Sequence, residues 1–341
     1  MKEKSNKSNK KPRISYPIKM GIILFSVASA FLMHITNKPE HVLKSSPQGI
    51  ETDAENGIKD SIINKKFVVS NEAEIVKTKE PIPKDLSKME VHFIDVGQGD
   101  SILIESAGEY MLIDAGDNSE GINVLRYLKK EGVETLKYVI GTHPHSDHIG
   151  GVDQVIDSFE VKKIILPNIT NDTQTFEDVL AAISNKGLKI TTPKVGNEYS
   201  IGNAKFTIIA PNGTDYSNLN NYSVGIKLEN GNNAFVMCGD AELEAEYDIL
   251  DSGIDVSADV LKLGHHGSDT ATSEAILKAV NPSYAIISVG INNKYGHPFA
   301  ETLQKIFNSH IKLFRTDMQG GIIAISDGKN ITFNTEPTEV D

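Results

Sequence analysis

The stretch GTHPHSDHIGG, residues 141–151, places three of the chain's ten histidines and an aspartate within six positions. Residues of those types at that spacing are metal ligands before they are anything else. The run follows KYVIGT, a strand-like segment, so it falls at a strand end, where sites form. In an extended loop residues i and i+2 point the same way, so His143 and His145 are expected to share one ion. Asp147 and His148 come where GG and VDQVID announce a helix, point elsewhere, and are expected to serve a second ion nearby. Imidazole and carboxylate without thiolate suit zinc, manganese or iron, and two divalent ions, zinc first and manganese as the alternative, are the expected cofactors. A solvated loop with incidental histidines is the competing reading; the density of the pattern and its place after a strand argue against it.

The elements that must position these side chains form one long α/β pattern. From Met89, EVHFIDV, SILIESA and YMLIDAG read as successive strands separated by turn residues. INVLRYLKKEG reads as a helix ending at glycine, and strand-like and helix-like segments alternate from there to GGIIAISDG. Helices packed outside sheets, in a single domain over residues 89–335 with a short tail at 336–341, are the expected architecture. Hydrophobic content of 39% is enough for a sizeable core, and Cys238, the single cysteine, excludes a disulfide framework.

Residues 1–19 carry seven Lys/Arg against one acid, and residues 20–35 carry no charge, the signature of a signal peptide or membrane anchor after a basic n-region. Ala28-Ser29-Ala30 is a candidate cleavage site. Residues 36–88, polar and aperiodic, are expected to be a linker. The remainder is therefore expected to be extracytoplasmic, membrane-anchored through the N-terminal segment or secreted. The total charge of −12 includes +6 on residues 1–40, which leaves −18 on residues 41–341. A surface that acidic repels polyanions at long range unless bound metal or a local patch reverses the sign.

Taken together, IDVGQGDSILI, MLIDAGDN, THPHSDHIGG, NNYSVGIKL, FVMCGD, LKLGHHGS and SVGINNKYGHP resemble the soluble hydrolase domain of ComEC-type competence proteins, which are metallo-β-lactamase-fold hydrolases. In those proteins the domain is fused to a membrane channel for DNA uptake; here one hydrophobic segment precedes it. The resemblance implies an αββα sandwich. It implies that Asp240 bridges two metal ions, that His265 joins Asp147 and His148 on the second ion, and that buried Asp114 orients the ligands from behind. Many members carry another histidine before the bridging aspartate; between His148 and His265 this chain has none. His143, His145 and Asp240 would hold the first ion, with water, substrate or a side chain of PNGTDYSNLNNYS, such as Asp215 or Asn221, completing it. His266 is expected to support the site by hydrogen bonding. His297 is a candidate proton donor to a leaving group, with Lys294 a nearby cation for substrate; a structural hydrogen-bonding role is the alternative for both His266 and His297. His92, inside a strand, is assigned to packing or surface.

Two ions sharing Asp240 would acidify a water and polarise the substrate, with Asp147 orienting the nucleophile, so the expected reaction is hydrolysis. The ligands do not name the bond, because the fold serves lactams, thioesters, lactones and phosphoesters. A phosphodiesterase acting on DNA is the leading expectation. The alternatives are a phosphodiesterase on a small cell-envelope substrate and a non-catalytic, metal-stabilised module that binds DNA or a partner.

Overall fold

The computed structural model describes residues 87–338. The expected n-region, the apolar segment at 20–35, residues 36–86 of the expected linker and the last three residues lie outside the described residues. Among the described residues no helix is long and apolar enough to cross a membrane.

Two sheets stack face to face. The first contains β1 (Met89–Phe93), β2 (Ile102–Ser106), β3 (Glu109–Ile113), β4 (Tyr138–Ile140), β5 (Ile164–Ile165) and β6 (Ile190–Thr191). The second contains β7 (Glu198–Ile201), β8 (Ala204–Ala210), β9 (Gly225–Asn230), β10 (Asn233–Met237), β11 (Val260–Lys262), β12 (Tyr284–Ile287) and β13 (Lys312–Arg315). The chain then returns to the first sheet as β14 (Ile322–Ser326) and β15 (Ile331–Phe333), giving the orders β15-β14-β1-β2-β3-β4-β5-β6 and β13-β12-β11-β10-β9-β8-β7. β15 was not anticipated from its short polar-flanked ITF run. Each sheet changes from antiparallel to parallel pairing partway across, at β3–β4 in the first and at β10–β11 in the second.

Strand periodicity explains the layering, because alternate residues face opposite sides. Phe93, Ile104, Met111, Ile113 and Ile140 from one sheet meet Phe206, Ile226, Phe235 and Phe314 from the other in a core between the sheets. The opposite faces bury Leu103, Leu112 and Val139 beneath α1 (Gly121–Lys130), α3 (Val152–Ser158) and α4 (Gln174–Asn185). A short helix, α2 (Ser146–Ile149), precedes α3. On the second sheet Val236, Ala285 and Leu313 are covered by α5 (Leu243–Asp251), α6 (Glu274–Val280) and α7 (Ala300–Asn308). The order of layers is helix, sheet, sheet, helix, the mixed α/β sandwich expected. The loops that carry Asp114, His143 to His148, Asp240, His265 and His266 leave the carboxyl ends of β3, β4, β10 and β11, strands that take part in parallel pairing, and such ends are where open α/β sheets bind ligands.

Candidate metal centre

β4 ends at Ile140, and Thr142 and His143 turn directly into the seam between the sheets, both buried. His145 caps α2, which carries Asp147 and His148 on its single turn. From the second sheet, β10 delivers Asp240 and the turn after β11 delivers His265 and His266. One oxygen of Asp240, Oδ2, sits among four imidazoles: His148 Nε2 at 3.2 Å, His266 Nε2 at 3.4 Å, His265 Nε2 at 3.8 Å and His143 Nε2 at 3.9 Å. Its other oxygen, Oδ1, is buried without a hydrogen bond, as are His148 Nε2 and His266 Nε2. Buried polar atoms are normally satisfied, so unpartnered atoms on three of these clustered side chains fit a role as cation ligands. Three groupings among the described residues place their ligand atoms within 4.8 Å of one another: His143 with His148 and Asp240, Asp147 with His148 and His266, and Asp100 with Asp114 and His148. The donor set fits divalent metal.

The structure places some of the candidate residues differently from the expectation. His266, read as a supporting group, points Nε2 at Asp147 Oδ2 (3.5 Å) and Asp240, while its Nδ1–H donates to the Ser288 carbonyl at 2.9 Å. That is the posture of a metal-ligating histidine held by its other nitrogen. His265, expected on the second ion, lies outside all three groupings; its Nδ1 is 3.2 Å from Glu242 Oε1 and 3.2 Å from Thr270 Oγ1. His145 sits at the cavity edge with Nδ1 3.0 Å from His143 Nε2. Asp114 lies behind His148, as the resemblance implied: its carboxylate is 2.8 Å from His148 Nδ1 and accepts from the Thr142 N–H and hydroxyl at 2.8 and 2.7 Å. Neither suggested completing ligand is placed for that role. Asp215 is exposed, and Asn221 is committed elsewhere, donating to Glu244 and accepting from the Glu242 N–H. Its neighbour Asn220 lines the cavity instead, with a buried Oδ1 that has no partner. His297 lines the cavity too, its ring 5.2 Å from that of His265. Lys294 lines an adjoining groove. His92 is buried, 2.9 Å from the Tyr127 hydroxyl, a packing residue.

The sequence reading missed Asp100 and Lys262. GQGD falls among turn residues and VLK in a strand-like run, yet Lys262 Nζ lies 2.8 Å from Asp100 Oδ2, and both side chains are almost fully buried. Asp100 Oδ1 is 3.6 Å from His266 Nδ1. The backbone of the same loop grips the metal-binding turn: Asp100 N–H donates to the Asp147 carbonyl at 3.1 Å. Gly99 has φ +131°, and a Cβ there would lie 2.1 Å from the Asp147 carbonyl oxygen, so only glycine fits. A signal for this pair existed only in combination, since a lysine in an apolar strand needs a buried partner.

Electrostatics follow from four carboxylates in a buried seam. Burial opposes charge on His148, but Asp240 and Asp114 outweigh it and hold its pKa well above the imidazole range. His266 is likewise pushed up to about 9, burial being overcome by Asp240 and Asp147. Asp147 and Asp240 stay far below the usual carboxylate range despite burial, because these imidazoles face them. His143 is held well below its ordinary value by burial and by His148. Burial and the neighbouring His265 and His266 lower His297 to about 4, so it is neutral at pH 7.

A sequence model of the metallo-beta-lactamase superfamily matches residues 94–291. The chain is 32% identical over 269 residues to ComE operon protein 3 of Bacillus subtilis (strain 168), covering 74% of this chain and 35% of that protein. It is 28% identical over 239 residues to competence protein ComA of Neisseria gonorrhoeae, covering 67% of this chain and 31% of that one. The chain thus spans about a third of the length of these curated relatives. Among solved structures, the metallo-beta-lactamase fold protein YhfI from Bacillus subtilis aligns with a TM-score of 0.48 at 14% identity, over 70% of this chain and 100% of that one.

Proposed function

Because this chain belongs to the metallo-beta-lactamase superfamily of metal-dependent hydrolases, we propose that it is a phosphodiesterase with DNA as its leading substrate. The observation that carries the reading is the composition of the cavity over the metal centre. Its volume is about 530 Å³, and among the described residues no lysine or arginine lines it; the walls are amides, hydroxyls and the imidazoles and carboxylates of the centre. A phosphate monoester or pyrophosphate, with two or more charges, is normally clamped by such cations. A diester carries one, which the centre itself can balance. The relation to a competence protein supports nucleic acid as the diester, and the −18 of residues 41–341 turns the expectation toward single strands rather than tightly held duplex.

His143, His148, His266, Asp147 and Asp240 would hold the ions. When bound, divalent ions would supply an acidified water and Lewis-acid charge beside the phosphoryl oxygens. Asp147, which lines the cavity from α2, would orient the attacking water. His297 lines the cavity and is neutral at pH 7, so it is placed to hydrogen-bond a phosphate oxygen rather than to act as the general acid of the sequence expectation. Asn118, Asn171 and Asn220 offer hydrogen bonds that position the ester without adding charge. We place the domain outside the cytoplasm on the strength of the basic and apolar N-terminal pattern.

The test is hydrolysis by the full chain, loaded with zinc or manganese, of single-stranded DNA, duplex DNA, bis-p-nitrophenyl phosphate and the monoester p-nitrophenyl phosphate. Metal-dependent cleavage of the diesters, lost in Asp147→Ala and His266→Ala, is expected. Preference for the monoester would overturn the reading. Cleavage of the small diester without DNA would move the substrate to envelope phosphodiesters.

A further inference from the structure

The loop after β12 presents an exposed tyrosine at the lip of the centre. Tyr295 is 50% exposed, and Ile291 on the same loop is 71% exposed. The loop is not slack. Asn293 donates to the carbonyls of Gly290 and His297 at 3.0 and 2.6 Å and accepts from the N–H groups of Tyr295 and His297 at 3.1 and 3.0 Å. Gly290 N–H donates to Gln98 Oε1 at 3.3 Å, and a Cβ at Gly290 would come within 2.7 Å of the Gln98 nitrogen. One asparagine satisfying four backbone groups fixes a loop whose aromatic residue is left outside, so the aromatic is displayed rather than stranded.

Tyr295 also stands where two hollows meet. The 530 Å³ cavity and a second groove of about 440 Å³ share Gln98, Ser146, Asp147 and Tyr295. A substrate lying across Asp147 therefore has room on both sides of its reacting atom, which suits a polymer. The second groove carries Lys294, and also Asp117 and Glu120, so it is no basic channel. In a protein of this charge a polyanion must be held by contacts other than ion pairs, and stacking of bases on aromatic rings is the sequence-tolerant alternative. The Tyr295 ring is supported by His297, with planes 24° apart and centroids at 5.7 Å. The Lys294 ammonium lies 5.0 Å from its centroid, on a long exposed side chain free to follow a phosphate.

We infer that Tyr295 is the stacking platform for a nucleobase next to the scissile phosphate, and that the substrate is a single strand running from the cavity, over Asp147, into the second groove. This rests on the phosphodiesterase reading. The chain contains no tryptophan, so Tyr295→Trp in the full-length protein creates a sole indole reporter at the platform. Its fluorescence is expected to be quenched by oligothymidylate and unaffected by an abasic oligomer of equal length. With metal present, Tyr295→Ala is expected to raise KM for single-stranded oligothymidylate about 5- to 150-fold with little change in kcat, and Tyr295→Phe to restore it. Equal quenching by the abasic oligomer or by a duplex overturns the platform, as does an unchanged KM in Tyr295→Ala. Turnover without quenching sinks the platform alone. Quenching without turnover of any diester leaves the platform standing and sinks the phosphodiesterase reading.

Discussion

Replacing Lys262 by methionine removes the ammonium from a pair that joins the end of β11, in the second sheet, to the loop between β1 and β2 in the first. The ammonium has two partners, Asp100 Oδ2 at 2.8 Å and the Leu263 carbonyl at 3.2 Å, in surroundings without solvent. Methionine fills similar space, so the cost is electrostatic rather than a cavity. Asp100 would be left as a buried charge whose other oxygen already lacks a hydrogen bond. Breaking one side of a buried pair costs about 3–5 kcal/mol. In a domain of this size about 2–4 °C of Tm is lost per kcal/mol, so a fall of about 6–20 °C is expected for the metal-free protein. Two further results should accompany it. Asp100→Asn combined with Lys262→Met removes both charges and should recover most of the loss, giving a coupling above about 1 kcal/mol. Saturating metal should also shrink the penalty of the single variant, because cations bound on the far side of His148 and His266 attract the unpaired carboxylate. The assay is thermal unfolding of the full chain followed by circular dichroism, with and without zinc. A Tm within about 2 °C of wild type, or a double variant no more stable than the single one, would refute this account of the pair.

Metal loading should release protons. His148 and His266 are both protonated at pH 7 in the metal-free protein and must give up Nε2–H to bind, so metal affinity should climb with pH toward about 9. Calorimetric titration in buffers of different ionisation enthalpy should show about two protons released per chain at pH 7; a slope of zero would contradict the electrostatics of the seam. His266→Ala should lower bound metal by about one ion per chain while His265→Ala leaves it unchanged, read by elemental analysis after dialysis, and the reverse outcome would restore His265 as the ligand. Asp114→Asn should weaken metal binding about 10- to 100-fold by removing the carboxylate behind His148 Nδ1; an unchanged Kd would make Asp114 merely structural. Gly99→Ala should displace the Asp147 carbonyl and cut diester turnover at least about 10-fold in a protein that remains folded, as judged by circular dichroism.

Residue types and spacing carried the reader a long way at residues 143–148, because strand, turn and helix there each have local signals. They do not decide between the two histidines of GHHG. His265 and His266 both have left-handed backbones, with φ of +47° and +53°, and no rule of alternation says which of two adjacent histidines then faces inward. The Asn220–Asn221 pair failed for a similar reason, lying in a single helical turn between strands, where one amide tethers Glu242 and Glu244 and the other looks into the cavity. Asp100 was invisible because G-Q-G-D is what a hairpin turn also looks like. What makes it a buried partner is Lys262, which lies 162 positions later and meets it only when the sheets close.

That closure has a consequence for how the protein tolerates change. His143, His148 and Asp147 are fixed to one sheet, Asp240 and His266 to the other, and the offset between them is set by the Lys262–Asp100 pair together with a core that includes Met111, Ile140, Phe206 and Phe235. Displacements of about 1 Å can cost a catalytic site about 100-fold. A conservative swap in this core, small enough to leave the melting curve alone, can therefore slide one set of ligands past the other. Drift in the interior of this sandwich should be limited by alignment long before it is limited by stability, much as a lens mount fails by losing focus rather than by breaking.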